Sequence, residues 1–417
     1  MRGSTDLARR LGHAVLSRLR HGRIEVVESG RRDAFGERAA ELSVTVEVRD
    51  PVAWRLLLRG STGFGEGYVQ GAWNTSDLVA LTRIAARNMP ALDRMRRRWH
   101  PVLGRAQRLA GMVPRNSRRG ARANISAHYD LGNELFASFL DERLMYSCAW
   151  FPRPGATLEE AQLAKLERIC AQLELGTDDH LIEIGTGWGG MAIHAASEYG
   201  CRVTTTTISR EQHAYATRRV RELGLADRIT VLDSDYRDLG GAGAYSQLVS
   251  IEMIEAVGWQ YFPVFFRKCS DLLAGDGLML LQAIVIDDDA YEIEKASKSF
   301  ANTHVFPGGC LPSERLIGEL VSSETDMRPR WSDDITPHYA ETLRIWRERF
   351  NDAVPGLARS GYDERFQRLW NFYLAFCEGG FRERRIRDVQ LSFAKPEFAA
   401  RTEVAAANRE REEPALA

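Results

Sequence analysis

The sequence lacks the cysteine and histidine spacings that mark metal sites and redox motifs. It has six cysteines without a C-x-x-C pair, and nine histidines without H-x-H or H-E-x-x-H spacing. A disulfide framework and a zinc site are therefore not expected, and a reducing cytosol is the predicted compartment. No apolar run reaches the roughly 20 residues that a membrane-spanning helix needs. The N-terminal segment also lacks the continuous apolar stretch of a secretory signal.

The net charge is also close to zero, because the 56 basic and 57 acidic residues nearly balance and give a formal charge of -1. The bulk charge thus gives no indication of a nucleic acid partner. The basic residues are nevertheless clustered, since residues 93–124 hold ten arginines, no lysine and one acid. This strip is either a solvated linker or an anion-binding surface that suits phospholipid headgroups. Single-stranded nucleic acid is disfavoured because Trp99 is the only aromatic there that could stack on bases.

Near the N-terminus, Leu7, Leu11, Val15 and Leu19 recur at helical spacing among arginines. The pattern predicts an amphipathic helix, packed on its own domain or lying in a membrane interface. Residues 23–90 then contain strand-like and helix-like segments typical of a small mixed α+β domain. From about residue 125 onward, predicted helices and strands alternate along the chain. The second pattern predicts a doubly wound α/β sheet, with ligands outside the carboxyl ends of its strands. The last seventeen residues are polar and are expected to fray.

The run "LIEIGTGWGG" (181–190) ends a predicted strand in a glycine loop and has two interpretations. Gly185, Gly187 and Gly190 match the dinucleotide pattern G-x-G-x-x-G. Glu183, Gly185, Gly187 and Gly189 match the E-x-G-x-G-x-G pattern of S-adenosylmethionine (SAM) methyltransferases. The loop by itself does not distinguish them.

The ends of the next two strands favour SAM. A dinucleotide fold needs a carboxylate at the end of the second strand, but that strand ends at Ser209 without one. Acids appear one strand later, at Asp233 and Asp235, followed by the aromatic Tyr236. An acid and an aromatic side chain at that position suit adenine, and Glu183 suits the aminoacyl end of the cofactor.

Six motifs in collinear order resemble the cyclopropane fatty acid synthases and their mycolic acid methyltransferase relatives. They are "SAHYDLGNELFASFLDERLMYSCAWF", "IGTGWGG", "TISREQ", "IEMIEAVG", "FPGGCLPS" and "GGFRERRIRDVQLSFAKP". The resemblance covers about 125–396, and "GSTGFGEGYVQGAW" (60–73) resembles the smaller domain of phospholipid-acting members. It implies an N-terminal lipid-interacting domain (1–92), an Arg-rich linker (93–124), a SAM-dependent methyltransferase domain (125–400) and a flexible tail (401–417).

The resemblance also implies cofactor contacts. Tyr129 and Ser147 would close over the methionine end of SAM, and Gly185 and Gly187 would let the protein backbone approach the cofactor. Thr207, Ser209 and Gln212 would replace the usual strand-two acid, with Gln212 reaching the ribose. Asp235 and Tyr236 would flank the adenine.

Family members transfer the SAM methyl group to a cis double bond inside an acyl chain, and a bound bicarbonate then removes a proton from the carbocation. The matching bicarbonate ligands here would be Cys148, Glu255, Tyr339, Gln282 and Ile284. Two departures bear on the product: Gln282 stands where the better-known synthases have histidine, and Ala256 stands where histidine often follows the glutamate. Because glutamine does not titrate, the product is left open between a cyclopropane and a methylene or methyl branch of the tuberculostearic type.

The expected substrate is an unsaturated phospholipid at an anionic membrane, with the protein cytoplasmic and peripheral at the inner face. A peripheral phospholipid-binding protein with a degenerate methyltransferase site is the main alternative. A small-molecule or nucleic acid methyltransferase is disfavoured, because no N-P-P-Y or P-C motif is present. A homo-oligomer, and a reductase partner for a methylene product, stay open.

Overall fold

In the computed structural model, the described residues are 2–109, 116, 120–121, 131–295 and 297–400. The chain divides into two compact units. The first contains Met1–Val113, Glu292–Pro307 and Leu343–Ile386. The second contains Pro114–Tyr291, Gly308–Thr342 and Arg387–Ala417. The N-terminal segment thus shares its unit with two later segments, a grouping that the linear sequence pattern does not display.

The first unit combines helices with a four-stranded sheet of order β2-β1-β3-β4, in which β1 is antiparallel to β2 and parallel to β3. Its elements up to residue 109 are α1 (Arg2–Leu16), β1 (Arg23–Glu28), β2 (Arg31–Gly36), β3 (Ser43–Val48), α2 (Val52–Leu57), α3 (Gly60–Val69), β4 (Trp73–Thr75) and α4 (Leu78–Leu109). Helix α4 begins directly after Asp77, whose carboxylate accepts from the Ala80 amide at 2.9 Å. The backbone of α4 stays helical to Leu109, well into the predicted linker.

The second unit contains a seven-stranded sheet of order β10-β11-β9-β8-β5-β6-β7. The elements that follow α4 are α5 (Asn133–Ala137), α6 (Leu158–Gln172), β5 (His180–Ile184), α7 (Gly190–Glu198), β6 (Arg202–Thr207), α8 (Arg210–Glu222), β7 (Ile229–Asp233), β8 (Tyr245–Ile251), α9 (Phe262–Leu272), β9 (Leu273–Ile286), α10 (Asp288–Glu294), α11 (Phe300–His304), α12 (Glu314–Glu324), β10 (Arg328–Asp334), α13 (Thr336–Arg359), α14 (Glu364–Arg382) and β11 (Ile386–Ala394). Strands β5 to β9 pair in parallel, and β10 pairs antiparallel to β11 at the edge. The predicted doubly wound α/β sheet with a smaller α+β part is confirmed.

Burial explains why these segments form the sheet. Leu181, Val203, Val249 and Leu280 lie on four neighbouring strands and belong to one buried cluster, which also takes in the apolar faces of α6 and α7. Parallel strands with both faces covered by helices are expected to be nearly continuously apolar, as the second half of β9 is, whereas β6 fills its buried positions with Val203 and four threonines. Since neighbouring parallel strands end at one edge of the sheet, the loops that follow β5, β6, β7 and β8 lie side by side there.

Among the residues that the structure describes, no helix is long and apolar enough to cross a membrane.

Candidate active site at the carboxyl edge of the sheet

The glycine loop after β5 has backbone angles that favour glycine. Gly185, Gly187 and Gly189 have φ values of 109°, 53° and 90°, in the region that side chains disfavour. A Cβ atom on Gly185 would lie 3.2 Å from Cγ of Met253, whereas one on Gly187 would meet nothing within 4 Å. The space beside Gly187 is therefore a cradle that a side chain would fill. This geometry fits a cofactor held against the backbone.

Below this loop, Glu183 is tied to the neighbouring strand. Its carboxylate accepts from Thr205 Oγ1 at 2.6 Å, and Thr205 Oγ1 lies 2.7 Å from Thr186 Oγ1. Burial raises the pKa of Glu183 to about 8, although the Thr205 hydrogen bond opposes the shift. Glu183 thus connects the loop to β6. Its predicted contact with the aminoacyl end of SAM stays a prediction.

The residues predicted to replace a strand-two acid lie together at the end of β6. Thr207 Oγ1 donates to Gln212 Oε1 at 2.9 Å, and Ser209 Oγ accepts from the Gln212 amide at 3.2 Å as the cap of α8. The Gln212 carbonyl oxygen is therefore already used within the protein. Its Nε2 group can donate to a ribose oxygen, as the prediction requires.

The residues predicted to flank adenine are held firmly by the protein itself. Asp235 forms an ion pair with Arg237 at 2.6 Å, and both side chains are almost buried. The Tyr236 ring packs edge-on against Phe265, with centroids 5.5 Å apart. Burial raises the pKa of the Tyr236 hydroxyl. Contact of these residues with adenine stays a prediction, and Tyr129 lies outside the described residues.

The main finding at the end of β8 is that Glu252, which the sequence analysis did not select, collects three predicted bicarbonate ligands. Its Oε1 accepts from the Cys148 amide at 2.7 Å and from Gln282 Nε2 at 2.8 Å. Its Oε2 accepts from the Tyr339 hydroxyl at 2.6 Å. The backbone of Glu252 has φ 48°, an angle that side chains rarely adopt and that often marks a functional site.

Glu255, the predicted carboxylate, lies one turn further along and is bound differently. Its Oε1 accepts from the Ile284 amide, as the predicted pairing of these residues requires. Its Oε2 is buried without a hydrogen-bond partner among the described residues. Burial, followed by the charge of Glu252, raises the pKa of Glu255 to about 8. Glu255 is therefore mostly protonated at neutral pH, and its Oε2–H can act as a donor.

A third carboxyl group, Asp388 on β11, completes the cluster. Gln282 Nε2 donates to Asp388 Oδ2 at 3.0 Å, and Gln390 Nε2 donates to Gln282 Oε1 at 3.0 Å. Burial and the charge of Glu252 raise the pKa of Asp388 well above its ordinary value. Burial also raises the pKa of Glu252, but its hydrogen-bond donors oppose the shift. We therefore assign the negative charge of the cluster to Glu252.

Cys148 contributes to this cluster through its backbone. Its side chain is completely buried, and burial raises the pKa of the thiol well above its ordinary value. A thiol with a raised pKa is a poor nucleophile. This environment fits a small buried residue rather than a nucleophile.

The cluster does not fit a bound bicarbonate ion on the predicted ligands. The amide of Cys148, the amide of Gln282 and the hydroxyl of Tyr339 all donate to Glu252. The Ile284 amide donates to Glu255. Four of the five predicted ligands are thus already engaged by a carboxylate of the protein, and Glu255 Oε2 is the one atom of the set without a partner among the described residues. A signal for Glu252 was present in "EMIEAVG", which contains two glutamates, but the backbone angle that aims the first one is not visible in a sequence.

Comparisons with known proteins agree with this geometry. The family described as mycolic acid cyclopropane synthetase matches residues 116–391. The tuberculostearic acid methyltransferase UfaA1 of Mycobacterium tuberculosis is 38% identical over 348 residues, covering 82% of this chain and 80% of the relative. The cyclopropane-fatty-acyl-phospholipid synthase of Escherichia coli is 34% identical, covering 84% of this chain and 87% of the relative. The structure of cyclopropane synthase CmaA1 with S-adenosylhomocysteine (SAH) has 30% identity and a TM-score of 0.61, covering 66% of this chain and 98% of that one.

Proposed function

Because the chain belongs to the mycolic acid cyclopropane synthetase family of SAM-dependent methyltransferases, we propose that it methylates a cis double bond in the acyl chain of an unsaturated phospholipid. Support comes from two long relatives, one named for tuberculostearic acid and one for fatty-acyl phospholipid. The observation that carries the proposal is the Glu252 cluster, a fixed carboxylate beside the glycine loop. The left-handed backbone that aims this carboxylate is typical of functional sites.

The reaction places two requirements on the protein: it must stabilise a positive charge and it must accept a proton. SAM, when bound, supplies an electrophilic methyl group, and the double bond of the acyl chain supplies the electron pair that forms the new carbon–carbon bond. The loss of those electrons leaves a carbocation on the neighbouring carbon, so the site must hold negative charge there and then accept a proton. A preorganised anion in a site from which water is excluded meets both needs.

Glu252 provides that anion in our proposal, in place of a bicarbonate ion. Three donors occupy three of roughly four acceptor positions on the carboxylate, and the side chain of Asp388 is hydrogen-bonded to the same group. Burial raises the pKa of the carboxylate above its ordinary value, while the three donors oppose that shift and fix its orientation. Proton loss from the new methyl group closes a cyclopropane ring. A hydride shift before proton loss gives a methylene branch, which a reductase would convert to a methyl branch.

Gln282 is a positioning residue for this base. It donates to Glu252 and Asp388 through Nε2 and accepts from Gln390 through Oε1. A histidine at this position could exchange a proton with the base, whereas the amide only holds it. Proton transfer is therefore left to Glu252 itself. Whether the product is a cyclopropane or a branched chain depends on which carbon carries the positive charge when Glu252 accepts the proton.

The lipid substrate requires access to a bilayer, and helix α1 offers a surface for it. Leu7, Leu11 and Val15 lie on one line of α1 and are 59%, 46% and 48% exposed. Arg10 and Arg18 near this line are also exposed. Exposed apolar residues flanked by arginines suit an anionic membrane interface. We propose peripheral binding of the inner membrane face through this line, which we call the α1 stripe.

Vesicle sedimentation tests the membrane part of the proposal. Replacing Leu7 and Leu11 by serine should weaken binding to anionic phosphatidylglycerol vesicles, and added salt should weaken wild-type binding. The matched control is Leu223→Ser, which removes a leucine that is 48% exposed elsewhere. Equal loss in the stripe variant and the control, or equal binding to neutral and anionic vesicles, would count against the α1 stripe.

Lipid mass spectrometry tests the reaction itself. A bacterial host without an acyl-methylating enzyme of its own should gain one carbon on its unsaturated phospholipid acyl chains when it expresses the wild type. Mass and fragmentation separate a ring from a methylene or methyl branch. A host whose lipids stay unchanged, although the purified protein binds SAH and lipid vesicles, would favour a lipid-binding protein with an inactive site.

A further inference from the structure

Lys165 is a buried cation that the proposed reaction does not use. It lies in the middle of α6, and its side chain is completely buried. Its ammonium nitrogen Nζ donates to Ser147 Oγ at 2.6 Å. Within the described part of the chain, no carboxylate oxygen lies at ion-pair distance from Nζ. A buried ammonium whose fixed partner is a neutral hydroxyl is costly. Glu252 and Asp141 act on it electrostatically from beyond ion-pair distance, and within the described residues its hydrogen bond to Ser147 is the only one, so the ammonium can serve a further anion.

The direction of the Ser147 hydroxyl follows from the chemistry of its partner. An ammonium group can only donate, so Ser147 Oγ accepts and its own hydrogen points away from Lys165. No acceptor for that hydrogen is found among the described residues. The Ser147 backbone is fixed as well, since Gln162 Nε2 donates to its carbonyl oxygen at 2.9 Å. Ser147 is therefore a rigid donor with a positive charge behind it.

This donor lies between the two parts of the candidate site. The next residue, Cys148, holds Glu252 through its amide. On the other side, the Met145 side chain packs so tightly on Gly190, the first residue of α7, that a Cβ atom there would clash with it. Ser147 lies two residues from this contact with the end of the glycine loop, where the amino acid end of SAM is expected. The anion available at that end is a carboxylate.

We propose that Lys165, acting through Ser147, recognises the α-carboxylate of the methionine portion of SAM. Lys165 is then a positioning residue, because it fixes the hydroxyl that contacts the cofactor and supplies the compensating charge. Burial lowers the pKa of the Lys165 ammonium, and the negative charge of Glu252 opposes that shift. The inference rests on the proposed function only in taking SAM as the cofactor.

Calorimetric titration with two ligands tests this proposal without turnover. SAH carries the carboxylate, whereas 5′-methylthioadenosine has the same adenosine and sulfur but no amino acid portion. Lys165→Met, which keeps the length of the side chain, should weaken SAH binding by about 10- to 100-fold, the range of a charge-assisted hydrogen bond. Its affinity for methylthioadenosine should change by less than about twofold. Ser147→Ala should show the same selectivity, and the double variant should lose little more than either single one.

The chain offers a matched control. Lys395 Nζ lies 3.2 Å from Ser270 Oγ but also pairs with Asp326 at 2.6 Å, so Lys395→Met should leave both affinities unchanged. Equal loss of both ligands in Lys165→Met and Ser147→Ala would show a structural role and overturn the proposal. So would unchanged SAH affinity with an altered pH–rate profile, which would place Lys165 at Glu252 instead. Failure of the wild type to bind SAH would overturn the proposed function itself.

Discussion

Replacing Glu252 by glutamine removes the proposed base with little change in shape. The amide oxygen can still accept from the Cys148 amide and from Gln282, which now donate to Oε1. The amide NH2 group then faces the Tyr339 hydroxyl, which can turn and accept from it. All three hydrogen bonds change from charge-assisted to neutral, a loss of roughly 1 kcal/mol each in the free energy of unfolding, which is offset because a buried charge no longer has to be desolvated. The variant should therefore fold and bind SAH.

Turnover should nevertheless fall by about 10²- to 10⁴-fold, the usual contribution of a general base. Glu255→Gln is the informative comparison, because Glu255 has a pKa of about 8 and is mostly protonated at neutral pH. An amide resembles a protonated carboxyl group, so this variant should keep a larger share of activity near pH 7. If Glu255→Gln loses turnover while Glu252→Gln stays active, the base is Glu255 and the assignment to Glu252 fails.

A glycine at position 252 allows a sharper experiment. Glycine relieves the backbone strain at φ 48°, which costs on the order of 1 kcal/mol, but it leaves three donors without an acceptor. A small carboxylate-like anion would satisfy them, so bicarbonate should restore part of the activity of Glu252→Gly. The wild type should not respond, since its own carboxylate fills the place.

The assay is SAH release from SAM with unsaturated phospholipid vesicles in carbon-dioxide-free buffer, with and without added bicarbonate. Chloride at the same ionic strength is the control for salt. A wild type that requires bicarbonate would refute the argument that Glu252 replaces the ion. A glycine variant that stays inactive at every bicarbonate concentration, although it folds and binds SAH, would remove the donors from the mechanism.

Three further outcomes are expected. Gly185→Val should abolish SAH binding by calorimetry, because valine disfavours φ 109° and would press on Met253; unchanged affinity would contradict the loop assignment. Glu183 has a pKa of about 8 in the folded protein and about 4.3 in the unfolded chain. Between these pH values the native state binds more protons than the unfolded state, so the free energy of unfolding falls as pH rises, by about 2 kcal/mol from pH 6 to 8. Glu183→Gln should flatten that part of the curve of free energy of unfolding against pH; an unaltered slope would assign it to other groups. Gln282→His should shift product toward cyclopropane in lipid mass spectra if residue 282 steers the carbocation, and should change only the rate if it merely holds Glu252.

Much of the fold could be predicted because its causes are local. A helix or strand buried on one face repeats its apolar residues with its own period, and these repeats placed the helices and strands of the α/β sheet. The glycine loop could be predicted because a turn with three positive φ angles requires glycine. Capping is equally local, as in α6, where Thr157 and Glu160 bond each other's backbone.

The candidate site depends on contacts that the linear order does not contain. Glu252 and Glu255 look equivalent in "EMIEAVG", but a left-handed backbone at Glu252 turns its carboxylate toward donors from residues 148, 282 and 339. Lys165 interrupts the buried stripe of α6 between Ala161 and Ile169, but only the folded chain shows that its ammonium contacts Ser147. Sequence periodicity reports which side of an element is covered by apolar groups. Only the folded chain brings distant polar groups within the few ångströms at which hydrogen bonds and charges act, and that distance decides which carboxylate carries the charge.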